Sequence, residues 1–459
     1  MSTERGSIQT PEPPAFPSGS SGKPKTDSDG PSSTTTVVRT PKPLYAPKPK
    51  PPAPPKQRSK QHGKQKPTAR DEKPVGLSGI FRKVRENHPI AFEDPAECEV
   101  IAPFFLTLGT AMGGGARRGR IIEVFGNEGT GKTTLVVQHV GADLGPGQVG
   151  LFEDFEHTFT PEWVARYTGR TVVHLSEAEK WFRSKSEAHA PVILWAQPEN
   201  LEDGVGLADE LLEGLGPKLR HVVFDSVAAM TPKAQIEAGV EDSLPAIRAR
   251  RLGWWFEKAL RPYAHNGTNV WLVNQIREKL GAFGFSELAR VQTPGGRGPK
   301  FYSTHRLYLS VAENRRWADV LGADSTAVEI TCVKNKVDAT RRGRTRLVLV
   351  PKLGFSPEIE AIDLAEERGV AAPAGPGAFT IDGKGPFSRR ALLLALLDRT
   401  RGPSFLSFIR TRLVESFGSE PIRFKSYVPK GPVFDVDDST DAPPIVCEDR
   451  DETNPFPRT

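Results

Sequence analysis

The sequence predicts an α/β protein with a central, mainly parallel β-sheet, and three observations carry that reading. Short β-branched or aromatic runs, RIIEVFG, VGLFEDF, PVILWAQ, HVVFDSV and TNVWLVNQI, recur from Gly119 onward. They are almost continuously apolar, as strands covered on both faces must be. Helical stretches such as KTTLVVQHVGADL, LADELLEGL and RRLGWWFEKALRPYA separate several of them, and alternating strands and helices favour parallel pairing through crossovers. A glycine-rich G-x-x-x-x-G-K-[ST] segment follows the first strand and opens the first of these helices.

Taken in order, residues 1–75 read as a disordered leader, rich in Pro and Lys. By count, residues 1–70 hold 15 of the 42 prolines, and 13 Lys/Arg against four Asp/Glu. The net charge of the whole chain is +6, so the basic character belongs to the leader. It is either a solvated arm or a weak contact for nucleic acid or an acidic partner. Residues 76–118 read as an N-terminal segment ahead of the core. There Leu77, Ile80, Phe81 and Val84 lie on one face of a short helix, Gly76–Asn87. Residues 119–370 form the α/β core, with several strands in quick succession over 301–350 that suggest antiparallel additions at one sheet edge. Residues 371–430 read as a small α/β C-terminal domain with two helices over 385–417. Residues 431–459 carry eight Asp/Glu against two Arg and read as a disordered acidic tail.

Several function classes drop out. No apolar run reaches the ~18–20 residues of a bilayer span, and MSTERGSIQT has no signal-peptide core. Three cysteines, Cys98, Cys332 and Cys447, are too widely spaced for a metal pair and too few for a disulfide framework. A reducing, cytoplasmic compartment is the simplest expectation, with an organellar leader as the alternative.

The sharpest local signal is Gly126-Asn127-Glu128-Gly129-Thr130-Gly131-Lys132-Thr133-Thr134. Its glycines let backbone N–H groups curl around a phosphate, Lys132 reaches the terminal phosphates, and the Thr133 hydroxyl ligates Mg²⁺. The following helix turns its positive end to the anion. Asp225 closes the strand HVVFDS, where parallel sheets place their ligand crevice, and is the second metal-side candidate; a helix-capping Asp is its other reading. Asp154 and Glu156, in FEDFEH, also follow a strand, and one of these carboxylates can orient an attacking water.

From about Arg118 to Val370, and more weakly to about Phe417, the chain resembles the bacterial RecA recombinases. GRIIEVFGNEGTGKTT, HVVFDSVAAMTPKAQIE, NQIREKLG, KFYSTHRL and VKNK stand in that family's order and approximate spacing. The resemblance implies a RecA-type P-loop NTPase core that binds ATP and Mg²⁺. It implies a DNA-dependent ATPase that forms helical homo-oligomers on single-stranded DNA and exchanges strands with double-stranded DNA in repair. In the family the filament also promotes cleavage of a self-cleaving repressor in the SOS response, and no membrane is involved. By the same resemblance Glu156 is the general base. Trp163 stacks on adenine, unless it is an ordinary cleft aromatic. Gln275 senses the γ-phosphate and couples it to the DNA loop beside it. Lys334 and Lys336, which alternate along a strand, reach a neighbour's ATP, unless they line a solvated strand face. Phe301 relays ATP state between subunits, a core Phe being the alternative.

Two stretches are expected to contact DNA. One is Ala238–Arg251, with Arg248, Arg250 and Arg251; the other is Ile276–Lys300, with Arg277, Lys279, Arg290, Arg297 and Lys300 among glycines and Phe283/Phe285. Their composition suits sequence-tolerant, salt-sensitive contacts with phosphates. Four features depart from the family. The leader has no counterpart; the resemblance makes 76–118 the oligomerisation segment, but its helix Gly76–Asn87 is shorter than the family's N-terminal helix, which docks on the adjacent subunit. About 171–190 reads as an insertion. In the first DNA stretch Glu241 and Pro245 stand where the family has a glycine and a Met-like residue, and the second is a few residues longer. The rival readings are a non-recombinogenic RecA paralogue and a RecA-fold DNA motor.

Overall fold

A computed structural model describes residues 82, 99–101, 104–184, 190–238, 246–278, 290–322, 324–338, 342–398 and 400–417, all within the compact unit Phe81–Thr459. The leader 1–75, the acidic tail, Lys279, Glu241, Pro245, Phe283 and Phe285 lie outside them. So does the helix Gly76–Asn87, save for Arg82, which is helical.

The chain opens with α1 (Leu106–Ala111), β1 (Ile121–Gly126), α2 (Lys132–Asp143), β2 (Val149–Asp154), α3 (Pro161–Thr168), β3 (Thr171–His174) and α4 (Leu175–Ser184). There follow β4 (Val192–Ala196), α5 (Leu201–Leu215), β5 (Leu219–Asp225), α6 (Lys233–Glu237), α7 (Ile247–Asn266) and β6 (Asn269–Gln275). A two-stranded ribbon, β7 (Arg277–Glu278) and β8 (Val291–Gln292), precedes α8 (Gly298–Tyr302). Then come β9 (His305–Ala312), α9 (Ala318–Leu321), β10 (Thr326–Asn335), β11 (Arg344–Val350), β12 (Gly354–Phe355) and α10 (Pro357–Glu367). The C-terminal part adds β13 (Ala371–Gly375), β14 (Ala378–Ile381), β15 (Lys384–Ser388), α11 (Arg389–Leu397) and α12 (Gly402–Ser416).

Ten strands make one sheet in the order β12-β11-β10-β9-β1-β6-β5-β2-β4-β3. The seven from β9 to β3 run parallel, and β10, β11 and β12 are antiparallel additions at one edge. The expected run of antiparallel strands over 301–350 is therefore corrected at its start. β9 pairs in parallel with β1, because α8 and the ribbon supply a crossover before it. At the opposite edge, the stretch read as an insertion forms β3 and α4.

Side-chain alternation builds two apolar layers. Ile122, Val124, Val223 and Val273 meet Leu135, Val136 and Val140 of α2 on one face. Val222, Phe224 and Leu272 meet Ala208 and Leu212 of α5 and Trp255 and Phe256 of α7 on the other. Both faces are covered, which explains why these strands read as nearly continuous apolar runs. The C-terminal elements share a third cluster with the antiparallel edge, in which Leu392, Ile409 and Leu413 join Trp317, Val348 and Ile359.

At the starting ends of the parallel strands lies a buried polar network. The Arg118 guanidinium grips Asp143 at 2.5 and 2.8 Å. His221 lies 2.7 Å from Asp143 through Nε2, and Trp271 Nε1 donates to His221 Nδ1 at 3.1 Å. That indole donor fixes the proton of a neutral His221 on Nε2, so His221 donates to Asp143.

Candidate nucleotide site

The finishing ends of four neighbouring strands converge on one crevice. Gly126 of β1 is in register with Gln275 of β6, and Asp154 of β2 with Asp225 of β5. The glycine-rich turn leaves β1 here and enters α2. Gly126 is squeezed against β9, where a Cβ would overlap the Leu309 carbonyl oxygen. Gly129 sits at φ +71° over open space that a Cβ would occupy. This is the shape of an anion cradle. Asn127, Glu128 and Gly129 form its exposed lip, while Thr130 and Thr134 are buried. Thr130 Oγ1 donates to the Asn127 carbonyl at 2.9 Å and holds the turn closed.

Lys132 Nζ donates to the same Asn127 carbonyl at 2.6 Å. Burial holds this ammonium below its ordinary value, against the opposing pull of Asp225, Glu156 and Glu128. Thr133 Oγ1 donates to Asp225 Oδ2 at 2.6 Å. Burial, with Glu156 and Asp154 nearby, pushes the Asp225 carboxyl up to about 7. The carboxylate is therefore short of positive charge where a cation beside a phosphate would sit. Among the described residues no cluster of three or more His, Cys, Asp or Glu could hold a metal. A cation at Thr133 and Asp225 would complete its shell with phosphate oxygens and water, the habit of Mg²⁺.

Glu156 follows β2 and is gripped from two sides. Ser226 Oγ donates to its Oε1, and Gln275 Nε2 donates to the same oxygen at 3.0 Å. Asp154, the second carboxylate considered there, is fully buried and accepts from the Phe159 amide at 3.0 Å through Oδ2. It braces the turn, leaving Glu156 to face the crevice. Trp163, on α3, is half-buried in a ladder of rings, 4.4 Å from Phe159 and 4.6 Å from Tyr167 between centroids.

Lys334 and Lys336 do converge, on their own chain. Lys334 Nζ donates to the Lys300 carbonyl and, at 3.2 Å, to that of Phe301; Lys336 Nζ donates to the Phe301 carbonyl at 2.6 Å. These carbonyls form the last turn of α8, the negative end of a helix. Burial, with Lys336 and Arg306 adding repulsion, holds Lys334 down at about 8. The expectation that both lysines alternate along one strand needs correcting. β10 ends at Asn335, and its register shifts between Cys332 and Lys334. The bulge and the strand end still let both chains reach one point. The Phe301 ring is 64% exposed, so it is not a core residue in this chain.

Of the expected DNA contacts, Arg250, Arg277, Arg290 and Arg297 are exposed, whereas Lys300 is half-buried. Arg248 donates from Nη1 to the Ala228 carbonyl at 2.6 Å. Burial lowers its pKa and Arg277 contributes repulsion, so the roots of both stretches lie side by side. Sequence reasoning missed a buried relay behind Gln275. Asn274 Nδ2 donates to Glu123 Oε1 at 3.0 Å. Arg306 pairs with the other Glu123 oxygen and stacks 4.5 Å over the Phe125 ring. The one available signal was a Glu inside the apolar run RIIEVFG, a buried charge that demands a partner.

The sequence profile of the RecA N-terminal domain matches residues 89–178 and 182–349. Protein RecA of Enterococcus mundtii is 31% identical over 314 residues, 66% of this chain and 82% of that protein. Protein RecA of Salinispora tropica is 33% identical over 282 residues, covering 61% and 73% of the two chains. For protein RecA of Tropheryma whipplei the identity is 30% over 304 residues, 66% of this chain and 63% of that protein.

Proposed function

The chain belongs to the RecA family, and on that premise we propose that it is a DNA-dependent ATPase that assembles on single-stranded DNA and catalyses homologous pairing and strand exchange. The observation that carries this reading is the 3.0 Å bond from Gln275 to Glu156. It ties the carboxylate suited to activating water to the strand end that feeds the second DNA stretch, with Arg277 two residues on.

ATP would lie in the cradle Gly126–Thr134, with Lys132 exchanging the Asn127 carbonyl for phosphate oxygens. The open space at Gly129 and the cation-poor Asp225 fit a triphosphate with Mg²⁺, held by Thr133 and Asp225. When bound, the ion would supply neutralisation of the charge that develops on the phosphate groups. Glu156, positioned by Ser226 and Gln275, takes the proton of the attacking water. Trp163 would offer a face to the base. Gln275 then swaps its carboxylate partner for the γ-phosphate, and β6 transmits that swap to Arg277. Lys334 and Lys336 are stored on the α8 carbonyls; in an assembly they would leave them for a neighbour's triphosphate, a charge-assisted partner. That move would free the segment carrying Phe301. Arg248, Arg250, Arg290, Arg297 and Lys300, with Lys279, would hold phosphates of single- and double-stranded DNA, so homology is read by base pairing.

The test is a D-loop assay, paired with ATP hydrolysis measured with and without single-stranded DNA. Wild type is expected to be stimulated by DNA and to form D-loops. Glu156→Gln is expected to bind ATP and lose at least about 100-fold in hydrolysis. Stimulated hydrolysis without D-loops would replace strand exchange by the non-recombinogenic reading. Normal hydrolysis by Glu156→Gln would sink the site assignment.

A further inference from the structure

We propose that the outer face of α7 is a nucleic-acid track on which the Trp254 indole stacks against a base of single-stranded DNA; this rests on the DNA-binding reading above and extends it beyond the two loop stretches. The helix buries Leu252, Trp255, Phe256, Ala259 and Tyr263 on one side. Arg250, Trp254, Lys258 and Arg261 follow at intervals of four, four and three, which places them on one opposite stripe. All four are exposed. The stripe is about 16 Å long at 1.5 Å per residue.

Trp254 is 67% exposed, more than any other large hydrophobic residue described. Its neighbour Trp255 shows the ordinary use of this residue type in the same helix, being 3% exposed with Nε1 bonded to Asp209 at 3.3 Å. An indole left in water and bracketed by cations one turn away on either side serves neither core nor solubility. It matches the combination by which single strands are held, an aromatic face for bases and cations for phosphates.

Charge selects the occupant. Residues 247–266 carry five Arg/Lys against one acid, Glu257, and Glu257 accepts from the Tyr302 hydroxyl at 3.2 Å. Lys258 lies 3.2 Å from Asp209 yet keeps two further N–H donors. The surplus suits a polyanion. The track is also continuous with the proposed DNA surface, since α7 begins at the root of the first stretch and Arg248, in its first turn, is close enough to Arg277 to be repelled by it. A single strand leaving the loops would pass along Arg250 and meet the indole next.

The experiment uses the full chain with a non-hydrolysable ATP analogue and a fluorescein-labelled oligo-dT, read by anisotropy, with thermal melting as the check of fold. Trp254→Ala is expected to weaken binding about tenfold, within the range for one stacked base, and Trp254→Phe to lose less. Arg250→Ala/Lys258→Ala is expected to flatten the salt dependence, which Trp254→Ala leaves steep. An oligonucleotide with scattered abasic sites separates stacking from a structural role: wild type should lose affinity on it, and Trp254→Ala should lose little more. Equal affinity of wild type and Trp254→Ala for oligo-dT overturns the proposal. So does an equal loss by both proteins on the abasic strand. Loss of self-association by Trp254→Ala without DNA, seen by light scattering, would reassign the face to a second copy of this chain. Failure of wild type to bind oligo-dT at all would instead remove the DNA-binding reading on which the track depends.

Discussion

The two ends of the central sheet hold polar networks built on the same three elements. α2 carries Thr133 at its start and His139 and Asp143 towards its end; β5 carries His221 and then Asp225; β6 carries Trp271 and then Gln275. At the starting ends the charges are matched. His221 and Arg118 hold the Asp143 carboxyl far below the usual carboxylate range, against its own burial. At the finishing ends they are not, and Asp225, on the same strand as His221, is pushed up to about 7. One network completes its charge balance within the chain and fastens β5 to α2. The other buries Asp225 beside Glu156 and Asp154, and the pull of Lys132 does not offset this, which is the condition for exchanging internal partners for a ligand.

Four measurements break or sharpen this contrast. Asp143→Ala strands a buried guanidinium. It should cost about 3–5 kcal/mol in urea unfolding, while the folded fraction keeps its ATP affinity; a loss of ATP binding in still-folded protein would show that the two ends are not independent. His139 comes next. Both its ring nitrogens are buried without a hydrogen-bond partner, and burial holds its pKa down at about 4. A folded pKa below the unfolded ~6.5 means stability present above pH 6.5 and lost as pH falls from 6.5 to 4, by roughly 3 kcal/mol. His139→Leu should remove that share of the slope between those pH values and leave the share of His305, which burial also holds at about 4.

Asp225→Asn should act with the opposite sign. The raised folded pKa means that this carboxyl supports the fold at low pH, and the support is lost as pH rises through about 7. Removing the charge should therefore raise the unfolding free energy measured in urea at pH 8, by more than the ~1.4 kcal/mol of one pKa unit, and abolish Mg²⁺-dependent hydrolysis. Destabilisation at pH 8 would mean that Asp225 is already balanced within the chain. The smallest effect is expected from Gln275→Ala, which removes a single hydrogen bond to Glu156. Basal hydrolysis, for which Ser226 still holds Glu156, should fall less than stimulation by single-stranded DNA, which should be largely lost; unchanged stimulation would detach β6 from the coupling.

The sheet and the phosphate cradle were legible because both are written in contiguous residues. RIIEVFG followed by GNEGTGKTT needs no distant partner to be recognised as strand, turn and helix start. What the sequence hid depends on register between remote segments. Ser226 is visible as the neighbour of Asp225, but its bond to Glu156 depends on β2 lying beside β5. Glu123 announces a buried charge without naming Asn274 and Arg306, which come 151 and 183 residues later. The parallel entry of β9 was misread because strand succession alone does not report the crossover before it. Lys334 and Lys336 reach one carbonyl through a bulge that no period-two pattern contains. The four-residue β3 was too short to stand out within a polar stretch.

The widest sheet in the molecule also ends abruptly on both sides. β12 has two residues and β3 has four, so neither outermost strand offers a long row of unpaired peptide groups. Long rims are templates on which identical chains stack indiscriminately into irreversible aggregates; rims this short provide little to nucleate on. For the assembly on DNA proposed above, short outermost strands would keep copies from joining edge to edge in a way that a change of ligand does not reverse.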